Sequence, residues 1–140
     1  MDIELQNKLF EKYPRLFSQK DLDPQKTAMC WGFACGNGWY DLIDNLCATI
    51  VNRRDNVNRE GNYDYERQEP RKKIEPQAVQ VKAKFGGLRF YIYDSDEYID
   101  GAISLAESMS YHICENCGSS ASNPDMMIDF TLCKKCDETI

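Results

Sequence analysis

Four cysteines in the last part of the chain form two matched pairs. Two residues separate Cys114 from Cys117 and Cys133 from Cys136, and fifteen residues lie between the pairs. Two thiolates at this spacing reach one ion at about 2.3 Å when the backbone turns tightly between them, and two such pairs complete a tetrahedron. The spacing is typical of a zinc ribbon and predicts one structural Zn2+, because four protein ligands leave no open coordination position. Two disulfides, four unrelated buried thiols and an iron centre with the same ligands are the alternatives.

Three further cysteines, Cys30, Cys35 and Cys47, lie outside this pattern. Cys47 falls on the apolar side of a predicted helix, where a free cysteine behaves as a small hydrophobic side chain. We interpret all three as buried thiols; a second metal site lacking an evident fourth ligand and a catalytic cysteine are the alternatives. A cysteine nucleophile usually needs a histidine base, and the only histidine, His112, fits a helix end better than a ligand position. The sequence therefore predicts a protein that is not an enzyme.

Composition agrees with a small globular protein in a reducing compartment. The chain has 140 residues, of which 42% are hydrophobic, and an odd number of cysteines, seven, argues against a secreted disulfide scaffold. The first residues lack the basic start and apolar run of a signal peptide, and no window is apolar enough to cross a bilayer. We expect a cytoplasmic protein.

The elements that position the cysteines follow from the hydrophobic pattern. Helices are predicted over residues 3–13, 39–53 and 98–109, the last of them capped by Asp94 or Ser95. The charged stretch 53–77 has few apolar side chains and predicts a mobile loop.

The predicted fold class is α+β, with two parts. Residues 1–111 form a small α+β domain, and residues 112–140 form a zinc-ribbon module in which 126–132 supplies a short strand leading into the second cysteine pair.

A β-hairpin is predicted over residues 78–93, with Gly86 and Gly87 as its two-residue turn. This turn places Lys84 opposite Arg89 on one face, while the other face is wholly apolar. Like charges directly opposite one another destabilise a hairpin, so the two cations need an acidic counterpart, either inside the protein or on a ligand. The side chains of the candidate binding face are Lys82, Lys84, Arg89, Tyr91 and Tyr93.

Charge is unevenly distributed along the chain. Residues 1–52 carry −2, residues 53–93 carry +4 and residues 94–140 carry −8, giving the net charge of −6. General nucleic-acid binding favours a basic domain, so the total argues against it, whereas the basic middle segment suits a small anion or an acidic partner surface.

The glycine turn at residues 36–38 precedes the second helix, and helix N-termini bind anions. Asp41 and Asp44 in the first turns already offset the helix dipole and would repel a phosphate. We interpret the turn as a chain reversal and cap; an anion site is the alternative.

Three motifs together resemble a known group of proteins: residues 35–39 (CGNGW), 81–91 (VKAKFGGLRFY) and 114–118 (CENCG). They resemble a family of short, uncharacterised proteins found chiefly in bacteriophage and prophage genomes. The resemblance covers roughly residues 29–51 and 76–136, and the charged stretch 53–75 is longer than the family leads us to expect. The family implies no particular activity; it implies a phage setting, in which small proteins often bind or block a host component.

The expected function is thus that of a non-enzymatic, zinc-containing binding protein. It would act as a phage accessory factor that binds or inhibits a host component, possibly one of host defence. A sequestering protein for a nucleotide-like anion is one alternative, and a nucleic-acid-binding zinc ribbon is another.

Overall fold

The computed structural model describes residues 1–123 and 129–138 and has an α+β architecture. Its helices are α1 (Ile3–Lys12), α2 (Tyr40–Val57), α3 (Glu97–Ser110) and the single turn α4 (Lys134–Asp137). Its strands are β1 (Phe33–Ala34), β2 (Tyr63–Asp64), β3 (Glu69–Pro70), β4 (Gln77–Lys84) and β5 (Gly87–Tyr93). Short 3-10 turns cover Ser18–Asp21, Met29–Trp31 and Asn37–Trp39.

The main sheet has the strand order β1-β4-β5, with β1 parallel and β5 antiparallel to β4. Helix α3 packs against both α2 and β5. Val81, Leu88 and Phe90 are buried in the core, so the apolar face predicted for the hairpin is confirmed. The core also contains the fully buried side chains of Trp39 and Ile50 from the start and middle of the second helical stretch.

Side chains of α3 cover the outer edge of β5. The backbone amide of Leu88 donates to Ser110 Oγ at 2.8 Å, and that of Phe90 donates to Glu107 Oε2 at 2.9 Å. An open strand edge is a template for pairing with other chains, and these two acceptors occupy it. The helix that leads to the cysteine pairs therefore also closes the sheet.

The register of the hairpin differs from the prediction. Lys84 pairs with Gly87 and Lys82 pairs with Arg89, so the turn residues are Phe85 and Gly86. Both have positive φ, 52° and 78°, as a type I′ turn requires. Each partner has moved by two residues relative to the prediction, which leaves every side chain on its predicted face.

The predicted loop over 53–77 is partly wrong. Helix α2 continues to Val57, because Arg54 and Val57 are buried and Arg53 pairs with Asp96 at 2.8 Å. Beyond the helix, Asn58 exchanges two hydrogen bonds with the backbone of Ile74, closing the base of a segment that contains the β2–β3 pair. The mobility of this segment stays a prediction.

The other helix predictions agree with the structure within a few residues. Helix α1 ends at Lys12, one residue before the predicted end. The cap of α3 is neither Asp94 nor Ser95 but Asp96, whose carboxylate accepts from the amide of Ile99 at 3.0 Å. Across the described ranges 1–123 and 129–138, no helix combines the length and apolar character needed to cross a membrane.

Candidate metal centre and hairpin face

The four predicted ligands lie together. The Sγ atoms of Cys114, Cys117, Cys133 and Cys136 are all within 4.8 Å of one another, and those of Cys117 and Cys133 are 3.6 Å apart. A tetrahedron with metal–sulfur bonds of about 2.3 Å has edges of about 3.8 Å, so the donor set fits a tetrahedral ion. The predicted four-cysteine metal site is confirmed by this geometry. Among the described residues it is the only such cluster.

Local backbone structure explains how each pair presents two thiolates. In the first pair, Gly118 has φ of 83° and donates to the carbonyl of Cys114 at 2.9 Å, which closes the tight turn. In the second pair, Cys133 is the N-cap of α4, so Cys136 lies in the first turn on the same side. Of the strand predicted over 126–132, residues 126–128 lie outside the described residues, and 129–132 are not a strand.

Hydrogen-bond donors surround the sulfur atoms. Burial raises the pKa of the Cys114 thiol, but backbone amides of Cys133, Cys117 and Asn116 donate to it and bring the pKa below its ordinary value. The hydroxyl and the backbone amide of Ser119 are the main cause that lowers the pKa of Cys117 to about 6. The Asn116 side chain donates to Cys136 Sγ at 3.3 Å. Donors of this kind favour the thiolate form that a metal cation needs.

The first cysteine pair is packed against the glycine turn at residues 36–38. The amide of Gly38 donates to the carbonyl of Glu115 at 2.7 Å, and the amide of Gly36 donates to Glu115 Oε2 at 3.1 Å. A Cβ atom on Gly38 would lie 2.1 Å from the carbonyl oxygen of Cys114. These amides contact the metal-binding turn, which supports our interpretation of the glycine turn as structural.

The hairpin turn approaches the same region. A Cβ atom on Gly87 would lie 2.2 Å from the ring of Tyr111, and Thr131 Oγ1 donates to the carbonyl of Gly86 at 2.6 Å. The indole of Trp39 donates to the carbonyl of Ile113 at 2.9 Å. The three motifs quoted in the sequence analysis therefore converge on the metal-binding turn. Sequence reasoning missed this convergence; its signal was a close-approach glycine in each motif.

The remaining cysteines and His112 take no part in this site. Cys35 and Cys47 are buried, and burial raises the pKa of Cys35 to about 12 and that of Cys47 well above its ordinary value. Cys30 is half-buried, with its Sγ 3.5 Å from the carbonyl of Thr27. His112 is exposed and lies outside the sulfur cluster.

The hairpin face is basic, and its cations are arranged differently from the prediction. Lys82, not Lys84, lies opposite Arg89, because Phe85 and Gly86 form the turn. The Arg89 guanidinium donates to the carbonyl of its neighbour Leu88 at 2.8 Å and to the Tyr111 hydroxyl at 3.1 Å.

The acidic counterpart expected inside the protein is not found in the described part of the chain. Within residues 1–123 and 129–138, no carboxylate lies within 4.0 Å of a side-chain nitrogen of Lys82, Lys84 or Arg89. The Lys84 ammonium is 5.6 Å from the centre of the Phe85 ring. Tyr91 and Tyr93 are exposed on the same strand, at 43% and 65%. The face therefore presents cations and aromatic rings to the surroundings.

Comparison with known proteins gives no relative from which a function can be carried over. No protein-family model, no curated protein and no solved structure matches this chain.

Proposed function

We propose that the protein is a zinc-stabilised, non-enzymatic binding protein that recognises an acidic surface of a partner through its hairpin face. The observation that carries the proposal is the cross-strand pair Lys82–Arg89, which has no carboxylate partner in the described ranges. Like charges opposite one another cost a few tenths of a kcal/mol or more unless an anion lies between them.

The ion is proposed to be zinc because four thiolates at tetrahedral spacing are typical of closed structural zinc sites. Such a site leaves no position for a substrate, so the metal would stabilise the C-terminal part rather than act in a reaction. Apparent binding free energies for structural zinc are on the order of 10–16 kcal/mol, enough to make this part of the chain fold with its metal.

An acidic protein surface is preferred over a nucleotide-like anion because the face is long. Arg89, Tyr91 and Tyr93 follow one another on one side of β5 and span about 13 Å at 3.3 Å per residue. A strip of this length suits an extended partner. The resemblance to phage proteins supports the further proposal that the partner belongs to a bacterial host and that binding inhibits it, possibly in host defence.

The experiment is a capture from bacterial lysate followed by measured affinity. The captured protein is purified and titrated against the wild type, Lys82→Glu and the matched control Lys8→Glu, which reverses an exposed charge on α1. Because a reversed charge repels an acidic partner, we expect Lys82→Glu to weaken binding by about tenfold or more and Lys8→Glu to leave it unchanged. Equal affinities for both variants would remove the hairpin face from the function.

A thermal-shift series with nucleotides tests the small-ligand alternative on the same protein. A ligand that binds the folded state raises the melting temperature as its concentration increases. Stabilisation by a nucleoside triphosphate, lost in Lys82→Glu, would replace the protein partner with a nucleotide. A capture dominated by nuclease-sensitive RNA or DNA would favour the nucleic-acid alternative, against which the −8 charge of residues 94–140 argues.

A further inference from the structure

A second surface, independent of the hairpin face, lies between α2 and α3. The two helices border an open apolar groove of about 370 Å³. The side chains that matter here are Leu42 and Leu46 from α2 and Ala102, Leu105, Ala106 and Met109 from α3.

Helix α3 carries two apolar stripes, and only one of them is buried. Ile99, Ile103 and Ala106 face the core, as expected for one side of an amphipathic helix. On the other side, the apolar residues of the stripe recur at intervals of four, three and four residues, and their large side chains are 44–64% exposed. The members of this outer stripe are Tyr98, Ala102, Leu105 and Met109. Intervals of four and three residues are those of a helix seam that packs against another helix.

The shape of the groove suits one helix. Helices α2 and α3 are antiparallel, because Arg53 near the end of α2 pairs with Asp96 at the start of α3, whereas Leu42 and Met109 border the other end. Two antiparallel helices form a groove that takes the apolar face of a third. The outer stripe extends over eleven residue steps, or about 17 Å, which is the length of about three helical turns.

Charge identifies the kind of helix. Helix α3 contains Glu97, Asp100 and Glu107 but no lysine or arginine, and Asp41 is the one charged residue lining the groove. A second copy of α3 would bring acid against acid, whereas a basic helix would be attracted. We propose that this groove docks a basic amphipathic helix of a partner protein, with apolar side chains at i, i+3, i+4 and i+7 seated on Leu105 and Met109.

The probe is a fluorescent 18-residue peptide of leucine and lysine that has leucines at those helical positions. Its scrambled isomer, which has the same charge but no apolar face, is the peptide control. Leu105→Glu is compared with Leu22→Glu, which places the same charge at another exposed leucine (42% exposed) outside the groove. Binding is followed by fluorescence anisotropy.

We expect the amphipathic peptide to bind the wild type and Leu22→Glu equally, and Leu105→Glu at least about tenfold more weakly. Attraction by charge alone predicts the opposite order, because Leu105→Glu adds a negative charge beside a cationic peptide. Equal binding of the scrambled peptide, or undiminished binding to Leu105→Glu, would overturn the proposal.

Two further measurements make the result unambiguous. If Leu105→Glu does not fold, Leu105→Ser removes the same apolar contact without a charge, and the same loss is expected. Light scattering is run on the wild type and on Leu105→Glu: a dimer that the substitution converts to a monomer would mean that a second copy occupies the groove, which overturns the proposal. A melting temperature lowered by Leu105→Ser relative to Leu22→Ser would mean that the protein itself covers the groove, which also overturns it.

Discussion

Gly38→Ala should uncouple the metal-binding turn from the rest of the protein. The added Cβ would lie 2.1 Å from the carbonyl oxygen of Cys114 and 2.6 Å from both the carbonyl oxygen of Glu115 and the amide nitrogen of Gly118. All three neighbours are backbone atoms, so no side chain can rotate away and the two segments must separate. This separation removes the hydrogen bond from Gly38 to Glu115.

The size of the effect follows from two contributions. Overpacking by one methyl group typically costs about 1–3 kcal/mol, and a lost backbone hydrogen bond costs about 1 kcal/mol. The sum, about 2–4 kcal/mol, corresponds to a melting temperature lower by on the order of 10 °C for a chain of this size. Because the turn carries Cys114 and Cys117, metal should also be lost to a chelator at lower chelator concentration.

Gly101→Ala is the matched control, since nothing lies within 4 Å of a Cβ built there, in the middle of α3. Alanine is the better helix former, so this variant should be more stable than the wild type by about 0.5–1 kcal/mol. The assay is urea unfolding of metal-loaded protein, with metal release measured in parallel. A Gly38→Ala protein as stable and as metal-retentive as the wild type would refute the docking of the glycine turn on the cysteine pair.

Three other outcomes are expected. Purified protein should contain one zinc per chain by elemental analysis, and Cys133→Ser should lose the metal and unfold the C-terminal part; zinc-free wild-type protein prepared without chelators would contradict the site. Brief trypsin treatment should cut after Arg67, which is exposed between β2 and β3, but not after Arg54, which is buried within α2; cleavage at both sites or at neither would contradict this. Iodoacetamide at pH 8 should leave Cys35 and Cys47 unmodified, because burial raises the pKa of both thiols, and stability should fall as the pH rises above about 8.5, where the unfolded thiols ionise first; labelling of either at pH 8 without unfolding would contradict their burial.

Local patterns predicted the metal site well. The spacing within each cysteine pair depends on a turn of a few residues, so the sequence contains the whole of its cause. The apolar faces of α1, α2 and α3 were likewise visible as periodicity, because periodicity records which side of an element is buried.

Long-range contacts account for the errors. The pair Gly86–Gly87 reads as a turn by itself, but Gly87 belongs to β5 because the ring of Tyr111 occupies the space of its side chain. Phe85 then takes the remaining turn position at positive φ, which a residue of its kind rarely does. The end of α2 was placed too early for a similar reason, since Arg53 is held by Asp96, a residue 43 positions further along the chain.

The hydrogen bond between Trp39 and Ile113 gives the protein a built-in optical signal. The chain has two tryptophans: Trp39 is fully buried and touches the segment that leads to Cys114, whereas Trp31 is 74% exposed. Loss of metal that frees this segment would admit water to one indole only, so the emission of Trp39 would shift to the red while that of Trp31 stayed unchanged. In a Trp31→Phe background, the fluorescence of the remaining indole would then follow the occupancy of the metal site directly.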